Sequence, residues 1–272
     1  PSDGGGFCRC AKCAALDEQD PHGDLSCSPL VLKFYNEVAR IVAGKHPDKI
    51  LIGYVYYNYM YPPRKPTALE SNVHLAWAAL EYYGFGLYKP KYREEFERVA
   101  RAWSTMTQHF SYESWSCWMR SEIGAPLPPG IEILKLEIPT MKKVGADGFH
   151  MIGLPAFGYG APLNYLAAKL MWHADGDVDR LYHEWLQRAY GPGWRSMKQL
   201  FVMLDYALRE NKRREKVKRN YDVNYNVVMD IYAPRFARME QLYLAALAKA
   251  ETDAQRKRLQ MFGDNLVELH HY

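Results

Sequence analysis

Apolar side chains fall along this chain in two patterns, short nearly continuous runs and longer segments with helical spacing. The run at 50–57 is β-branched and aromatic, which predicts a strand that is buried on both faces of a parallel sheet. Further strands are predicted at 73–80, 108–115 and 145–152. Helical spacing predicts helices from Ser28, as N-cap, to about Gly44, over 88–106 and over 131–144. This alternation of strands and helices indicates an α/β fold, either a parallel sheet or a (β/α) barrel.

From about Pro162 onward the pattern is helical only. Asp177 is expected to cap a helix that ends at Gly191, a second helix covers about 194–212, and Pro234 begins a third. The chain is therefore divided into a barrel portion, 1–172, and a helical C-terminal region, 173–272.

Four strands cannot close an eight-stranded barrel, which needs about 250 residues. The chain also begins abruptly, without Met, inside what resembles a functional loop. A barrel therefore requires strands one to four from a missing N-terminal region of the same protein, and we expect the chain to be a fragment.

The aromatic content is compatible with sugar binding, whereas the charge pattern and the length of the apolar runs argue against a nucleic-acid partner and a membrane span. Aromatic residues make up 14% of the chain, with 21 Tyr and 7 Trp, which suits either flat sugar-binding surfaces or a large aromatic core. The net charge of +4 comes largely from one basic block at 212–219, which predicts a solvated helix face and no nucleic-acid partner. The chain contains no run of eighteen apolar residues, so no membrane span is predicted.

Several motifs together resemble a known family. They are Ser2-Asp3-Gly4-Gly5-Gly6-Phe7-Cys8-x-Cys10-x-x-Cys13, Phe34-Tyr35-Asn36-Glu37-Val38-Ala39, Pro62-Pro63 after a Tyr-rich strand, Tyr165-Leu166-Ala167-Ala168-Lys169-Leu170-Met171-Trp172, Asp177-Val178-Asp179 and Tyr190-Gly191. Over about residues 1–195 the chain resembles bacterial proteins that carry domain of unknown function 4838. Part of that group is classed as glycoside hydrolase family 163, endo-β-N-acetylglucosaminidases that act on N-glycans. The resemblance implies a (β/α)8 TIM-like barrel followed by helices, with the four runs as strands five to eight.

Glycan degradation by such a barrel needs two carboxyl groups at the carboxyl ends of its strands. The resemblance places Asp3 after strand four and Glu113 at the end of strand seven, so these two are the predicted catalytic residues. Aromatic neighbours would raise the pKa of a buried Glu113 and suit it to general acid work. The alternatives are a structural Glu113 paired with an Arg and an Asp3 that serves as an Asp-Gly turn residue.

The sequence leaves the catalytic mechanism open. Adjacent acids would indicate catalysis by the substrate's own acetamido group, but Ser2 rather than an acid precedes Asp3. Hexosaminidases that use the substrate's own acetamido group need a second carboxylate, which would lie on the missing strands or be Asp147. No cofactor is expected for catalysis.

Aromatic and polar side chains near the predicted strand ends are the candidate substrate-binding residues. Tyr57, Trp77, Trp115 and Trp118 are candidates for stacking on sugar rings, with core packing an equal alternative. Asn58 and His150 are candidates for hydrogen bonds to hydroxyl groups, although a lone His at a strand end is more often structural. The predicted activity is hydrolysis of a β-linked glycan containing N-acetylhexosamine, and the alternative is a non-catalytic carbohydrate-binding relative.

Four cysteines near the start form a candidate metal site. Cys8, Cys10, Cys13 and Cys27 supply enough thiolates for a structural zinc ion, although the spacing between Cys8 and Cys10 is unusual. Disulfides are the rival if the protein is exported to a periplasmic or extracellular location, and free thiols are the third option. In each case the cysteines are expected to brace the loop beside Asp3. A less favoured interpretation of the whole chain is a zinc-braced interaction domain.

Overall fold

The computed structural model describes residues 6–82, 86–114, 120–121, 126, 130–151, 157–214, 222–223 and 225–271. Three predicted site residues, Asp3, Trp115 and Trp118, lie outside the described residues. The strands are β1 (Glu18–Gln19), β2 (Leu25–Ser26), β3 (Leu51–Tyr56), β4 (Val73–Ala78), β5 (His109–Ser114), β6 (Arg120–Ser121), β7 (Gly148–Met151) and β8 (Asp222–Val223). The helices are α1 (Ala11–Ala14), α2 (Ser28–Lys45), α3 (Pro90–Ser104), α4 (Ile131–Lys143), α5 (Phe157–Trp172), α6 (Val178–Tyr190), α7 (Trp194–Arg214), α8 (Tyr225–Val227), α9 (Phe236–Leu247) and α10 (Asp253–His271).

The strands and helices predicted from periodicity are confirmed, with shifts of a few residues at their ends. The prediction that the chain is only helical after about Pro162 is wrong at β8, a short strand that pairs with β6. The four predicted strands are β3, β4, β5 and β7, and the three predicted helices before residue 145 are α2, α3 and α4. Asp177 caps α6 as predicted, because its carboxylate accepts a hydrogen bond from the backbone N–H of Arg180 at 3.0 Å. Ser28 is not the cap of α2 but its first residue, and its hydroxyl donates to the carbonyl of Tyr61 at 2.6 Å instead.

The chain divides into two compact units. One comprises Pro1–Leu80, Arg93–Ser114 and Thr140–His150, and we call it the sheet unit. The other comprises Glu81–Tyr92, Trp115–Pro139 and Met151–Tyr272, and we call it the helical unit. The division at residue 172 inferred from the sequence stays a prediction.

The sheet unit is built on a parallel sheet with the strand order β3-β4-β5-β7. In its register Tyr54 lies opposite Ala76, and Ala78 lies opposite both Tyr56 and Glu113. Within the described residues this sheet has four strands and does not close into a barrel. The fold is therefore mixed α/β, with a parallel sheet and many helices.

One face of the sheet, which we call the helical face, packs against α2 and α3. The Trp77 ring stacks on Phe96 of α3 at 5.3 Å and lies 5.5 Å from Tyr112, while its indole N–H donates to the carbonyl of Met60 at 3.1 Å. Trp77 is fully buried within this aromatic core, so the prediction that it stacks on a sugar is wrong. Aromatic core packing, the alternative for this ring, is what the structure has.

The other face of the sheet is only partly covered. Ile52 of β3 is 65% exposed, which corrects the prediction that this strand is buried on both faces. The apolar run in the sequence gave no sign of the difference, because Ile52 is as hydrophobic as Val55, which faces the helices.

The helical unit has its own apolar core and contains a buried lysine. Leu186, Leu200, Leu204 and Phe262 are fully buried, and the Phe262 ring meets Phe201 edge-on at 5.6 Å. Lys212 is 2% exposed, so the basic block is not wholly solvated as predicted. Among the described helices, none combines the length and the hydropathy needed to cross a bilayer.

Gly53 lies on the helical face, where Tyr35 of α2 packs closely against the sheet. A Cβ at position 53 would lie 2.6 Å from Cε2 of Tyr35, whose buried ring is fixed by the hydrogen bond that its hydroxyl donates to the carbonyl of Tyr54 at 2.7 Å. We expect Gly53→Ala to lower the free energy of unfolding by about 1–3 kcal/mol in chemical denaturation, because the ring must shift.

The matched control is Gly44→Ala in α2, where a Cβ would meet nothing within 4 Å. That change should leave stability unchanged or raise it by up to about 1 kcal/mol through helix propensity. Similar effects at the two positions would contradict the packing argument.

Candidate functional site

The partly covered face of the sheet carries most of its polar side chains, and we call it the polar face. Because side chains alternate along a strand, the register places on this face Ile52, Tyr54, Tyr56, His74, Ala76, Ala78, His109, Ser111 and Glu113, joined by Gly148 and His150 of β7. The apolar core residues of the same strands point to the helical face. The chemistry of the sheet unit is thus confined to one side of its sheet.

Glu113 is the centre of a three-residue cluster near the carboxyl ends of the strands. Its Oε2 accepts a hydrogen bond from the Tyr54 hydroxyl at 2.6 Å and lies 3.0 Å from Nδ1 of His150. The side chain of Glu113 is only 6% exposed, whereas that of His150 is 64% exposed. The cluster therefore joins a buried carboxyl group to a ring that reaches solvent.

Tyr54 reaches Glu113 across an intervening strand. It belongs to β3 and Glu113 to β5, and β4 runs between them. Neighbouring strands are about 4.8 Å apart, so the side chains of Tyr54 and Glu113 together must span roughly two such spacings. Ala76 and Ala78 are the residues of β4 that face this gap, and their short side chains leave the room that the ring needs.

The contact also keeps the Tyr54 hydroxyl protonated. The hydrogen bond to Glu113 raises the pKa of Tyr54 to about 12, and partial burial and the negative charge of Glu113 add to the shift. The raised pKa extends the pH range over which Tyr54 donates to the carboxyl group, from about pH 10 towards pH 12. Sequence reasoning missed this residue; the alternating alanines of β4 opposite it were the available signal.

The turn after β3 combines an unusual backbone with a buried polar atom. Tyr57 begins a 3-10 turn, Tyr57–Tyr59, and has φ of +51°, the single positive value among the non-glycine residues that the structure describes. Such backbone geometry is costly and tends to occur at functional positions. Asn58 follows, and its side-chain oxygen is buried without a hydrogen-bond partner in the described part of the chain. Both predicted binding residues therefore lie directly after the strand that carries Tyr54.

Asp147 lies at the other end of the sheet, so the structure corrects its predicted role beside the catalytic acid. It precedes β7, its backbone N–H donates to the carbonyl of Phe110, and its carboxylate pairs with His109 at 3.0 Å. His74 stacks on His109 and donates to or accepts from Ser111 at 2.8 Å. In a parallel sheet all strands begin at one side and end at the other. Asp147, which precedes β7, is therefore separated from Glu113, which lies near the end of β5.

Three of the four predicted metal-ligating cysteines come together. The sulfur atoms of Cys8, Cys10 and Cys13 all lie within 4.8 Å of one another. Cys27 is buried elsewhere, where its thiol approaches the carbonyl of Asn58 at 3.8 Å and burial raises its pKa to about 11. The structure therefore brings together three of the four predicted ligands, and Cys27 is not part of the group.

The pH dependence of stability tests the contact between Tyr54 and Glu113. The pKa of Tyr54 in the folded protein, about 12, lies above the ordinary value of 10.0, so the contact stabilises the fold fully below pH 10 and is lost as pH rises towards 12. We expect Tyr54→Phe to lower the free energy of unfolding by about 1 kcal/mol at neutral pH. Denaturation series should show the difference shrinking between about pH 10 and 12.

Tyr206→Phe, which changes an exposed tyrosine of the helical unit, serves as the control and should produce a small, pH-independent difference. A Tyr54→Phe difference that stays constant through this pH range would show that the hydroxyl does not donate to Glu113 as the structure has it.

Comparison with known proteins supplies the family. The chain matches none of the curated proteins with which it was compared. The profile of a domain of unknown function, DUF4838, matches residues 1–200, close to the range over which the motifs resemble that family. Since this range is well over half of the 272 residues, the chain belongs to the DUF4838 family.

Proposed function

We propose that this chain is part of a glycoside hydrolase that cleaves a β-linked glycan containing N-acetylhexosamine, in the manner of an endo-β-N-acetylglucosaminidase. The observation that carries the proposal is the buried carboxyl group of Glu113 near the end of β5, held by Tyr54 and His150. A carboxyl group in this position is what a barrel glycosidase needs for acid/base catalysis.

The sheet is proposed to be strands five to eight of a (β/α)8 barrel. Its strand order, β3-β4-β5-β7, follows the chain without the reversal that defines a doubly wound sheet. Helices α2 and α3 both pack on the helical face, as the outer ring of a barrel does. The polar face, with Ile52 exposed, would then be the inner wall of the barrel.

Glu113 is proposed as the general acid and base. In its protonated form it would donate a proton to the glycosidic oxygen as the bond to the anomeric carbon breaks and a nucleophile, either Asp3 or the substrate's own acetamido group, bonds to that carbon. Its carboxylate would then take a proton from the water that displaces this nucleophile. Tyr54 and His150 both contact Oε2, so they are positioning residues that orient the carboxyl group. Asp3 remains the predicted second carboxyl group, and Tyr57, Asn58 and His150 remain predicted sugar contacts.

The second candidate is a carbohydrate-binding protein without catalytic activity. It is favoured by the same cluster, because Oε2 of Glu113 is already engaged by two side chains and the carboxyl group is largely buried. In that case Glu113 is a structural acid, and the polar face recognises a glycan without cleaving it.

Glu113→Gln in the full-length protein separates the two candidates. We expect the wild type to release glycans from an N-glycosylated protein, detected by mass spectrometry, and the variant to lose about 10²–10⁴-fold in rate, because an amide cannot transfer the proton. Retained glycan binding by the variant would show that the site is intact.

Glu37→Gln, on an exposed position of α2, is the matched control and should keep full activity. A wild-type protein that binds the glycan without releasing it would favour the binding candidate. Full activity of Glu113→Gln would overturn the catalytic assignment.

A further inference from the structure

We propose that Cys8, Cys10 and Cys13 bind one zinc ion through three thiolates, with water as the fourth ligand. The three sulfur atoms lie within 4.8 Å of one another, and no other His, Cys, Asp or Glu of the described chain joins them in a group of this kind. Tetrahedral zinc with bonds of about 2.3 Å to sulfur requires sulfur atoms about 3.8 Å apart. The cluster therefore needs to contract by no more than about 1 Å to hold the ion.

The local backbone explains why the sulfur atoms converge. Cys10 precedes the single turn α1, and its carbonyl accepts hydrogen bonds from the N–H groups of Cys13 at 3.0 Å and Ala14 at 2.9 Å. This turn places Cys10 and Cys13 on the same side, as one helical turn does for residues three apart. Cys8 precedes Cys10 by two residues in the chain and completes the triangle.

Zinc binding by the cluster would be coupled to proton release and would leave an anionic centre. Three thiolates and one zinc ion carry a net charge of −1, and binding releases three protons from the thiols to the solvent. Arg9 stands between Cys8 and Cys10 in the chain, and its guanidinium pairs with Asp17 at 2.6 Å. Lys12 lies within α1, between the second and third ligands. Arg9 and Lys12 thus neighbour the ligands in the chain, and the charge of Arg9 is already offset by Asp17.

Soft thiolate ligands select zinc over the hard cations Mg²⁺ and Ca²⁺, which prefer oxygen. Cys27 does not belong to the site, because its buried thiol approaches the carbonyl of Asn58 instead. The fourth coordination position of the zinc ion would be open to solvent, since Cys8 and Cys10 are both exposed.

The zinc ion would brace the segment that packs against the turn after β3. Phe7, directly before Cys8, meets the ring of Tyr59 edge-on at 5.6 Å. Tyr59 closes the 3-10 turn that begins at Tyr57. A rigid cysteine loop would therefore hold Phe7 against the turn that carries two of the predicted sugar contacts.

Metal analysis of the whole chain, purified under reducing conditions and dialysed against zinc, tests the proposal. We expect one zinc per chain, and Cys8→Ser, Cys10→Ser and Cys13→Ser should each lower zinc affinity by about 10-fold or more. Cys27→Ser and Cys117→Ser are matched controls and should retain one zinc. Loss of zinc in either control would overturn the ligand set, because that cysteine would then be a ligand.

A second measurement needs no variant. Zinc added to the reduced wild-type chain should slow iodoacetamide alkylation of Cys8, Cys10 and Cys13, mapped by peptide mass spectrometry, by about tenfold or more. The alkylation of Cys27 and Cys117 should not change. Equal labelling of Cys8, Cys10 and Cys13 with and without zinc, or a disulfide among them in the chain as purified, would contradict the proposal.

Discussion

The span of Tyr54 over strand β4 is the contact on which the candidate site depends. The tyrosine starts on one strand and ends on a carboxyl group two strands away, and it can do so because β4 presents only Ala76 and Ala78 to the gap. Any larger residue there would fill the space above β4 and push the ring outward. Two small residues thus decide whether a carboxyl group on β5 has a donor from β3.

The same tyrosine is fixed from the opposite side of the sheet. Tyr35 of α2 packs its ring on Gly53 and donates its hydroxyl hydrogen bond to the backbone carbonyl of Tyr54. The backbone of Tyr54 is therefore held by the helical face while its side chain is held by Glu113 on the polar face. Packing on one side and polar chemistry on the other are coupled through this residue, so a loss of helix packing would loosen the donor of the candidate catalytic acid.

Periodicity was sufficient to predict the main strands and helices and to place Glu113 near the end of a strand, but not to predict the partners of Glu113. The four strands and the main helices follow from local patterns, and Glu113 stood out as an acid at the end of an aromatic strand. Tyr54 was missed because its role depends on which strands are neighbours and in which register, and neither is a local property. Trp77 and Asp147 were misassigned for related reasons: a tryptophan near a strand end can face the helices, and an acid in a strand-like run can lie before the strand rather than after it. Sequence spacing likewise suggested four metal ligands, whereas the fold buries the fourth cysteine apart from the others.

The turn after β3 is the point at which the two features of the sheet unit meet. Tyr54 leads into it from the strand, Tyr57 enters it with a strained backbone, and Tyr59 ends it against Phe7 of the cysteine loop. A backbone conformation that costs about 1–3 kcal/mol persists only where its surroundings hold it in place. The cysteine loop contributes to these surroundings within the sheet unit, because the ring of Phe7 packs edge-on against Tyr59, the last residue of the turn. The thiol cluster is therefore best understood as support for the geometry at the end of β3, whereas the proposed chemistry is assigned to Glu113.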